Sequence, residues 1–244
     1  FSSVKYSISI YNSGYHFFHQ TSHEKNVRVL FLTSEAHSLI KTGDLADVRG
    51  ALPKAIQNAA EFNGNIKVLL PAYSNLLDKL TAVKQLATIY ALGQECTLFT
   101  GKAANSDVDV IAIKNDALYD RKDGPYTDNN NIDWPDNALR FGVLSRVASL
   151  LTKKGSPLNW QPNIVHCNDW QSGLTSAYIK LVDKTPVKTI FSIHNMAYQG
   201  NFDVNQLKQL ALPAEHFNIN GFEFHDQISL MKAVLFYAEH LSTV

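Results

Sequence analysis

The sequence predicts an α/β fold, a Rossmann-like domain with a mainly parallel sheet. Two observations carry this prediction. Short apolar runs typical of buried strands alternate with helical patterns along the chain, and three of these runs are followed by polar segments of the kind that bind ligands. The three runs are 27–32 (VRVLFL), 164–167 (IVHC) and 188–193 (KTIFSI). With 244 residues and 45% hydrophobic content, the chain is long enough to bury a substantial core.

The first run is predicted to be a buried strand, and a helix is predicted after it. Leu45, Val48, Leu52 and Ile56 recur at i, i+3, i+7 and i+11 on one helical face. The segment 41–48 (KTGDLADV) lies where the helix begins. In such a strand, loop and helix unit, loop amides and the helix N-terminus point at the carboxyl end of the sheet, where anions and sugars bind. Taken alone, the segment also fits an ordinary strand-to-helix turn.

The middle of the chain continues the alternation. Strands are predicted around Leu70 and at 109–113, and a helix is predicted at 136–151. Between them, residues 121–137 (RKDGPYTDNNNIDWPDN) concentrate Gly, Pro, Asn and Asp, a composition typical of a loop or linker.

The second and third units repeat the design of the first. The tips that follow their strands carry polar and aromatic side chains, namely Asn168, Asp169, Trp170, Gln171, His194, Asn195, Tyr198 and Gln199. Right-handed crossovers place the carboxyl ends of parallel strands on one edge of a sheet. We therefore expect the three tips to converge.

Composition excludes several classes of function. The 22 basic and 22 acidic residues balance, so the sequence lacks the excess of positive charge that is typical of proteins that bind nucleic acid or an acidic membrane. No apolar stretch approaches the ~20 residues that span a bilayer. The two cysteines, Cys96 and Cys167, form no disulfide framework and favour a reducing compartment. For Cys167, beside the predicted site, a buried small hydrophobe is favoured over a nucleophile.

Taken in order, the motifs of this chain resemble those of bacterial glycogen synthases and plant starch synthases. That family carries KTGGLxDV, DWH and HNLAYQG where this chain has KTGDLADV, NDWQ and HNMAYQG. Further matches are ALPKAI at 51–56, YDR at 119–121, PYTD at 125–128, DNALRF at 136–141 and FEFHDQISLMKAVLFYA at 222–238. The resemblance runs from about residue 27 to 244. Because PYTD belongs to it, we interpret 121–137 as a binding loop and not as a domain boundary.

The resemblance implies the N-terminal, acceptor-side half of a GT-B glycosyltransferase, with residues 27–244 as that domain and the C-terminal nucleotide-binding domain absent. The implied reaction is retaining transfer of glucose from a nucleotide-glucose donor, expected to be ADP-glucose, to the non-reducing end of an α-1,4-glucan acceptor. No metal and no cofactor are implied. Since the chain stops at 244 in a strand-like run, we expect a fragment of a longer synthase that is inactive alone. The expected location is the cytoplasm, or the plastid in a plant or alga.

The resemblance also implies residue roles. Asp169 and His194 are the predicted catalytic residues, and the predicted substrate-binding residues are Lys41, Gly43, Asp47, Tyr126, Trp170, Asn195 and Gln199. Alternatives stay open for several of them. Trp170 and Tyr198 fit core packing equally well. Asp47 is also explained as a first-turn carboxylate favoured by the helix dipole, and His194 as a satisfied core histidine.

Two residues depart from the family pattern. Asp44 replaces the second glycine of KTGGL, and Gln171 replaces the histidine of DWH. A carboxylate ~5 Å from a phosphate charge, at an effective dielectric near 20, repels it by roughly 3 kcal/mol, about a hundredfold in affinity. The alternative is therefore that the protein is a non-catalytic glucan-binding or regulatory relative that no longer binds the nucleotide-glucose donor productively. A generic nucleotide-binding enzyme is disfavoured because GxGxxG and GxxxxGK[ST] are absent.

Residues 1–26 are an N-terminal extension outside the resemblance. Val4, Tyr6, Ile8 and Ile10 alternate with polar neighbours, which suggests a short strand or an arm. His16, His19 and His23 share a helical spacing, but no carboxylate or cysteine accompanies them, so surface histidines are favoured over a metal site.

Overall fold

The structure, a computed structural model, describes residues 26–36, 45–60, 62–104 and 108–243. Its strands are β1 (Val27–Leu32), β2 (Gly64–Pro71), β3 (Leu80–Ala91), β4 (Gln94–Ala103), β5 (Asp109–Lys114), β6 (Ile164–Asn168), β7 (Lys188–Ile193), β8 (Asn201–Asp203), β9 (Glu223–Phe224), β10 (Gln227–Ser229) and β11 (His240–Thr243). Its α-helices are α1 (Leu45–Gln57), α2 (Asp116–Tyr119), α3 (Asn137–Leu150), α4 (Leu174–Ala177) and α5 (Leu230–Tyr237). A π-helical segment, Tyr178–Asp183, continues α4.

The larger sheet has eight strands in the order β11-β7-β6-β1-β2-β5-β4-β3. The six strands from β11 to β5 are parallel, whereas β4 and β3 run antiparallel at one edge. This confirms the predicted α/β fold with a mainly parallel sheet. The strand order reverses direction between β1 and β6, so these two strands flank the topological switch point, where ligands bind in open α/β sheets.

Both faces of the sheet are covered, as a parallel sheet requires. Alternate residues of β1 point to opposite faces of the sheet. Leu30 and Leu32 belong to the core cluster that includes α3, α4 and α5, whereas Val29 and Phe31 belong to the cluster on the side of α1. The period of two in the strand therefore anchors two helical layers at once.

The predicted elements are found where the apolar patterns placed them. The strand 27–32, the helix from Leu45 and the strand at 188–193 are all present, and the predicted helix at 136–151 is α3. The loop at 121–137 is held from two sides, since Trp134 Nε1 donates to the Gly124 carbonyl at 2.9 Å within the loop and Arg140 Nη1 of α3 donates to the Pro125 carbonyl at 2.8 Å.

The two cysteines are buried and free, and burial raises the thiol pKa of Cys96 to about 11 and that of Cys167 to about 12. Cys167 is fully enclosed in the core, as the interpretation as a small hydrophobe predicts. In the described part of the chain, no helix is long and apolar enough to cross a membrane.

Candidate functional site

The carboxyl ends of β1, β6 and β7 lie side by side at the switch point. The register pairs Leu32 of β1 with Cys167 of β6, and Asn168 of β6 with Ser192 of β7. The residues that follow these strands therefore meet at one edge of the sheet. This confirms the predicted convergence for the second and third tips. Lys41, Gly43 and Asp44, in the tip of the first unit, lie outside the described residues.

Asp169 is the residue around which this edge is organised. Its side chain is buried, with 3% of the residue exposed. Its Oδ1 accepts hydrogen bonds from two successive backbone amides beyond β7, at 2.8 Å from His194 N and 3.2 Å from Asn195 N. The two predicted tips are thus joined by a carboxylate that binds main-chain donors, and such charge-assisted bonds are among the stronger ones in proteins.

The backbone of Asp169 is strained. Its φ of 55° and ψ of 176° fall in a region that almost only glycine adopts, at a cost of about 1–3 kcal/mol. The conformation is held on both sides, because Asp169 N donates to Ser192 O at 3.1 Å and Asp169 O accepts from Ser172 N at 3.0 Å. A strained, over-determined residue at a strand tip is typical of a functional site.

Asn168 sets the orientation of the His194 ring. Its Nδ2 donates to the carbonyls of Leu32 at 3.1 Å and His166 at 3.3 Å, so its Oδ1 is left to accept. That Oδ1 lies 3.0 Å from His194 Nε2. Nε2 must therefore carry the hydrogen, which fixes the tautomer of the neutral ring. His194 is half-buried, and its hydrogen-bonded Nε2 leaves both the site role and the alternative of a satisfied core histidine open.

A second histidine lies beneath the site. His166 is buried in β6, with its Nε2 2.8 Å from Ser192 Oγ and its ring edge-on to Phe31. Burial, and to a lesser degree the nearby His194, lower the pKa of His166 from 6.5 to about 4. The ring is therefore neutral in the folded protein at neutral pH, and its role is to join β6 to β7 by a hydrogen bond.

The depressed pKa of His166 predicts a loss of stability in mild acid. Between pH 6.5 and about 4 the unfolded chain binds a proton at this residue while the folded chain does not, so the free energy of unfolding falls as pH falls through this window. The full effect is roughly 3 kcal/mol. Urea unfolding at steps across this window should show a steeper decline for the unmodified chain than for His166→Gln. His225→Asn, at an exposed position, should leave the slope unchanged. Parallel curves for His166→Gln and the unmodified chain would contradict the prediction.

Tyr126 reaches the same edge from the 121–137 loop. Its hydroxyl donates to Glu35 Oε1 and lies 2.7 Å from Ser34 Oγ, just beyond the end of β1. Burial and the Glu35 carboxylate raise the pKa of Tyr126 well above its usual value, so the phenol stays protonated and acts as a donor. Tyr126 thus contacts the tip of β1.

Glu35, which is 6% exposed, is a residue that the sequence reasoning missed. A signal was present in the sequence, since Thr33, Ser34 and Glu35 directly follow a predicted buried strand. The same rule identified Asp169 and His194 on the neighbouring strands.

Trp170 is held in an aromatic cluster. Its ring packs edge-on against Phe141, with centroids 5.0 Å apart, and in a tilted arrangement against Phe202, with centroids 6.0 Å apart. Its side chain remains half-buried, whereas Tyr198 is 65% exposed. Trp170 therefore combines core contact with a partly open ring, and Tyr198 does not belong to the core.

The remaining predicted residues are placed as follows. Asn195 Oδ1 accepts from Ala197 N at 2.9 Å, which tightens the turn after β7. Gln199 is half-buried and its carbonyl accepts from Met231 N at 3.0 Å. Asp47 lies in the first turn of α1, and its side chain is outside what the structure describes. Gln171 is buried, and its Oε1 has no hydrogen-bond partner among the described residues.

This edge of the sheet suits a ligand rich in hydroxyl groups. It presents carboxylates, an imidazole and amides within one strand-tip cluster, and these groups orient hydroxyls through hydrogen bonds. In the described part of the chain, no group of three or more His, Cys, Asp or Glu residues is arranged to hold a metal ion.

Comparisons with known proteins identify the family of this chain. Residues 28–244 match the family model described as starch synthase catalytic domain. The chain is 42% identical over 222 residues to a glycogen synthase of Paramagnetospirillum magneticum, covering 89% of this chain and 44% of that protein. It is 41% identical over 229 residues to a glycogen synthase of Nitrosomonas eutropha, covering 92% of this chain and 45% of that protein. The chain thus spans about half the length of the curated relatives that it matches.

A solved structure shows a similar fold. It is the catalytic domain of starch synthase IV from Arabidopsis thaliana bound to ADP and acarbose, with a TM-score of 0.72 and 21% sequence identity. The similarity covers 88% of this chain and 44% of that one. At this identity the likeness supports the architecture of the domain.

Proposed function

Because the chain belongs to the starch synthase catalytic domain family and is 42% identical to a glycogen synthase, we propose that it forms the acceptor-side domain of a retaining glucosyltransferase. The reaction is transfer of glucose to the non-reducing end of an α-1,4-glucan. The observation that carries the proposal is the Asp169 carboxylate, held by the amides of His194 and Asn195 at the switch point. The proposed domain is residues 27–244, with 1–26 as an extension.

Each site residue has a proposed role. Asp169 orients sugar hydroxyls and is the essential carboxylate, and His194 contacts the transferred glucose through a ring whose tautomer Asn168 fixes. Asn195 and Gln199 support this pair, and Trp170 shapes the pocket from its aromatic cluster. Tyr126 acts at the tip of β1 through Glu35. These groups hold the sugar while its anomeric carbon gains positive charge in the transition state.

The donor is proposed to be ADP-glucose. The similar starch synthase IV structure contains ADP. Since the chain spans about half of its relatives, the residues that hold the nucleotide are proposed to lie in the other half of such a protein. Lys41, Gly43 and Asp47 are proposed to face the donor from this domain, in the cytoplasm or in a plastid. A leaving diphosphate gains charge, which positioned amides and a lysine stabilise.

Glucose incorporation into glycogen tests this function. With the full gene product, labelled ADP-glucose should give incorporation at least about tenfold faster than labelled UDP-glucose, a difference of about 1.4 kcal/mol. The 244-residue chain alone is expected to give none. Glycogen binding without incorporation by the full gene product would instead support the non-catalytic alternative.

The substitution Asp44→Gly separates the two functions further. If Asp44 faces the donor phosphates, its removal should tighten ADP-glucose binding by up to about a hundredfold. An unchanged affinity in an active protein would mean that Asp44 is harmless to donor handling.

A further inference from the structure

Arg140, in the first turns of α3, has no exposed surface. A buried guanidinium is costly unless its donors are satisfied, and here most of them bind neutral oxygens. Nε donates to the Leu118 carbonyl at 2.7 Å. Nη1 donates to the Pro125 carbonyl at 2.8 Å and to Asn137 Oδ1 at 2.7 Å. Arg140 makes no ion pair with a carboxylate among the described residues.

These bonds close the loop that carries Tyr126. Leu118 precedes the loop, Pro125 lies within it beside Tyr126, and Asn137 is its last residue, where α3 begins. Asn137 Nδ2 in turn donates to the Tyr126 carbonyl at 2.9 Å. The planar guanidinium therefore ties the two ends of the loop to the residue next to Tyr126, a geometry that lysine cannot reproduce.

The loop is closed a second time at its base. Arg121 Nη2 lies 2.5 Å from Asp136 Oδ2 and its guanidinium stacks over the Trp134 ring at 5.1 Å. The backbone amide of Trp134 donates to the Tyr126 carbonyl at 3.0 Å. The carbonyl of Tyr126 is thus fixed by two donors, which leaves its side chain as the part that reaches out of the loop.

The side chain of Tyr126 connects the loop to the end of β1. Its hydroxyl binds Glu35 and Ser34, and Glu35 is separated from Tyr126 by 91 positions in the chain. The backbone of Glu35 is held by Thr33, because Thr33 Oγ1 donates a hydrogen bond to the Glu35 carbonyl at 2.7 Å. From here the chain continues into the segment that contains Lys41 and Gly43.

We propose that Arg140 is a positioning residue that clamps Tyr126 against Glu35 and so fixes the end of β1 beside the reacting sugar. This rests on the proposed glucosyltransferase function. Arg140 itself does not touch the substrate. It acts through the chain of contacts from Pro125 to Tyr126 to Glu35, and Asn137 is its partner in holding the loop.

Kinetics of three variants of the full gene product test the proposal. Arg140→Lys keeps the positive charge but loses the planar guanidinium and its several donors, and Tyr126→Phe loses only the hydroxyl group. Each should lower kcat at least about tenfold with little change in KM for glycogen, because the transition state requires the alignment that the clamp provides. The double variant should be no slower than the slower single variant, since both changes break one chain of contacts. Fully multiplicative effects would overturn the proposal.

Arg146→Met is the matched control. Arg146 lies on the same helix and is also mostly buried, but it binds Asp183 and packs over Tyr178, away from the Tyr126 loop. Its loss should lower thermal stability and leave kcat within about twofold. A tenfold fall in kcat for Arg146→Met would show that any lost buried arginine on α3 has this effect, and would overturn the proposal.

Hydrogen exchange supplies a readout that needs no transferase activity. In Arg140→Lys, amides in the peptide covering 33–36 should exchange at least about tenfold faster, whereas Arg146→Met should leave this peptide unchanged. Faster exchange confined to 119–137 would overturn the proposal, because the clamp would then not reach β1. If the protein transfers no glucose at all, the function proposed above is wrong. The exchange experiment still tests whether Arg140 holds Tyr126 and the end of β1 in place.

Discussion

Asp169→Asn is expected to lower kcat/KM for glucose transfer by about 100- to 1,000-fold while leaving the fold intact. The asparagine Oδ1 can still accept from the amides of His194 and Asn195, so the geometry of the site persists. The negative charge that is proposed to orient sugar hydroxyls and to face the developing positive charge is lost. Asp169→Ala should lose activity and in addition about 3 kcal/mol of stability, because two partly buried amides lose their acceptor. Steady-state kinetics and urea unfolding measure the two effects separately.

Asp203→Asn is the control for this pair. Asp203 Oδ1 also accepts from a backbone amide, that of Asn205 at 2.7 Å, but at an exposed turn after β8. Its replacement should leave kcat/KM within about twofold. An Asp169→Asn protein that retained more than about a tenth of its activity would show that the charge is not required.

Gly200→Ala is expected to destabilise the fold by about 4 kcal/mol. Gly200 has a φ of +61°, and a Cβ there would lie 2.2 Å from the Cε3 atom of Trp170. The left-handed backbone costs about 1 kcal/mol for alanine, and forcing the packed indole aside costs about 3 kcal/mol. Because Phe141 and Phe202 hold the ring, it has little room to move. Urea unfolding monitored by circular dichroism measures the change.

Gly93→Ala measures the backbone contribution alone and so separates it from the contribution of the clash with Trp170. Gly93 has a φ of +75°, but nothing lies within 4 Å of a Cβ built on it. It should therefore show only the backbone cost of about 1 kcal/mol. Equal losses in the two variants would mean that the contact with Trp170 does not matter. In Gly200→Ala we also expect altered Trp170 fluorescence, since the ring is displaced.

The parallel part of the fold was predictable because its strands are buried on both faces. Such strands read as continuous apolar runs, as in β1, and the polar residues after them indicate the edge where the candidate site lies. The hairpin of β3 and β4 was not predicted. Most of β3 is exposed or half-buried, so it shows little alternation, and its turn, Leu92-Gly93, lacks the Asn-Gly or Asp-Gly signal. A second, three-stranded sheet in the order β8-β10-β9 was not predicted either, because its strands have two or three residues each, too few for a period to appear.

The site was predictable only in part for a similar reason. Asp169 and His194 belong to motifs that lie next to their own strands. The contact of Tyr126 with Glu35 joins positions 91 apart, and no local pattern predicts such a pairing. Arg140 was also missed, because a charged residue in a helix is expected at the surface, whereas α3 is buried on nearly all sides and shows no polar face.

The bonds of Asp169 to two main-chain amides have a consequence for how this site can evolve. The carboxylate recognises the backbone at positions 194 and 195, and every amino acid except proline offers the same amide there. The side chains at these two positions can therefore be exchanged while the anchor remains. Under the proposed function, specificity toward the sugar can therefore change by substitution at His194 or Asn195 without rebuilding the scaffold, and these two positions are the ones to vary when a different substrate is wanted.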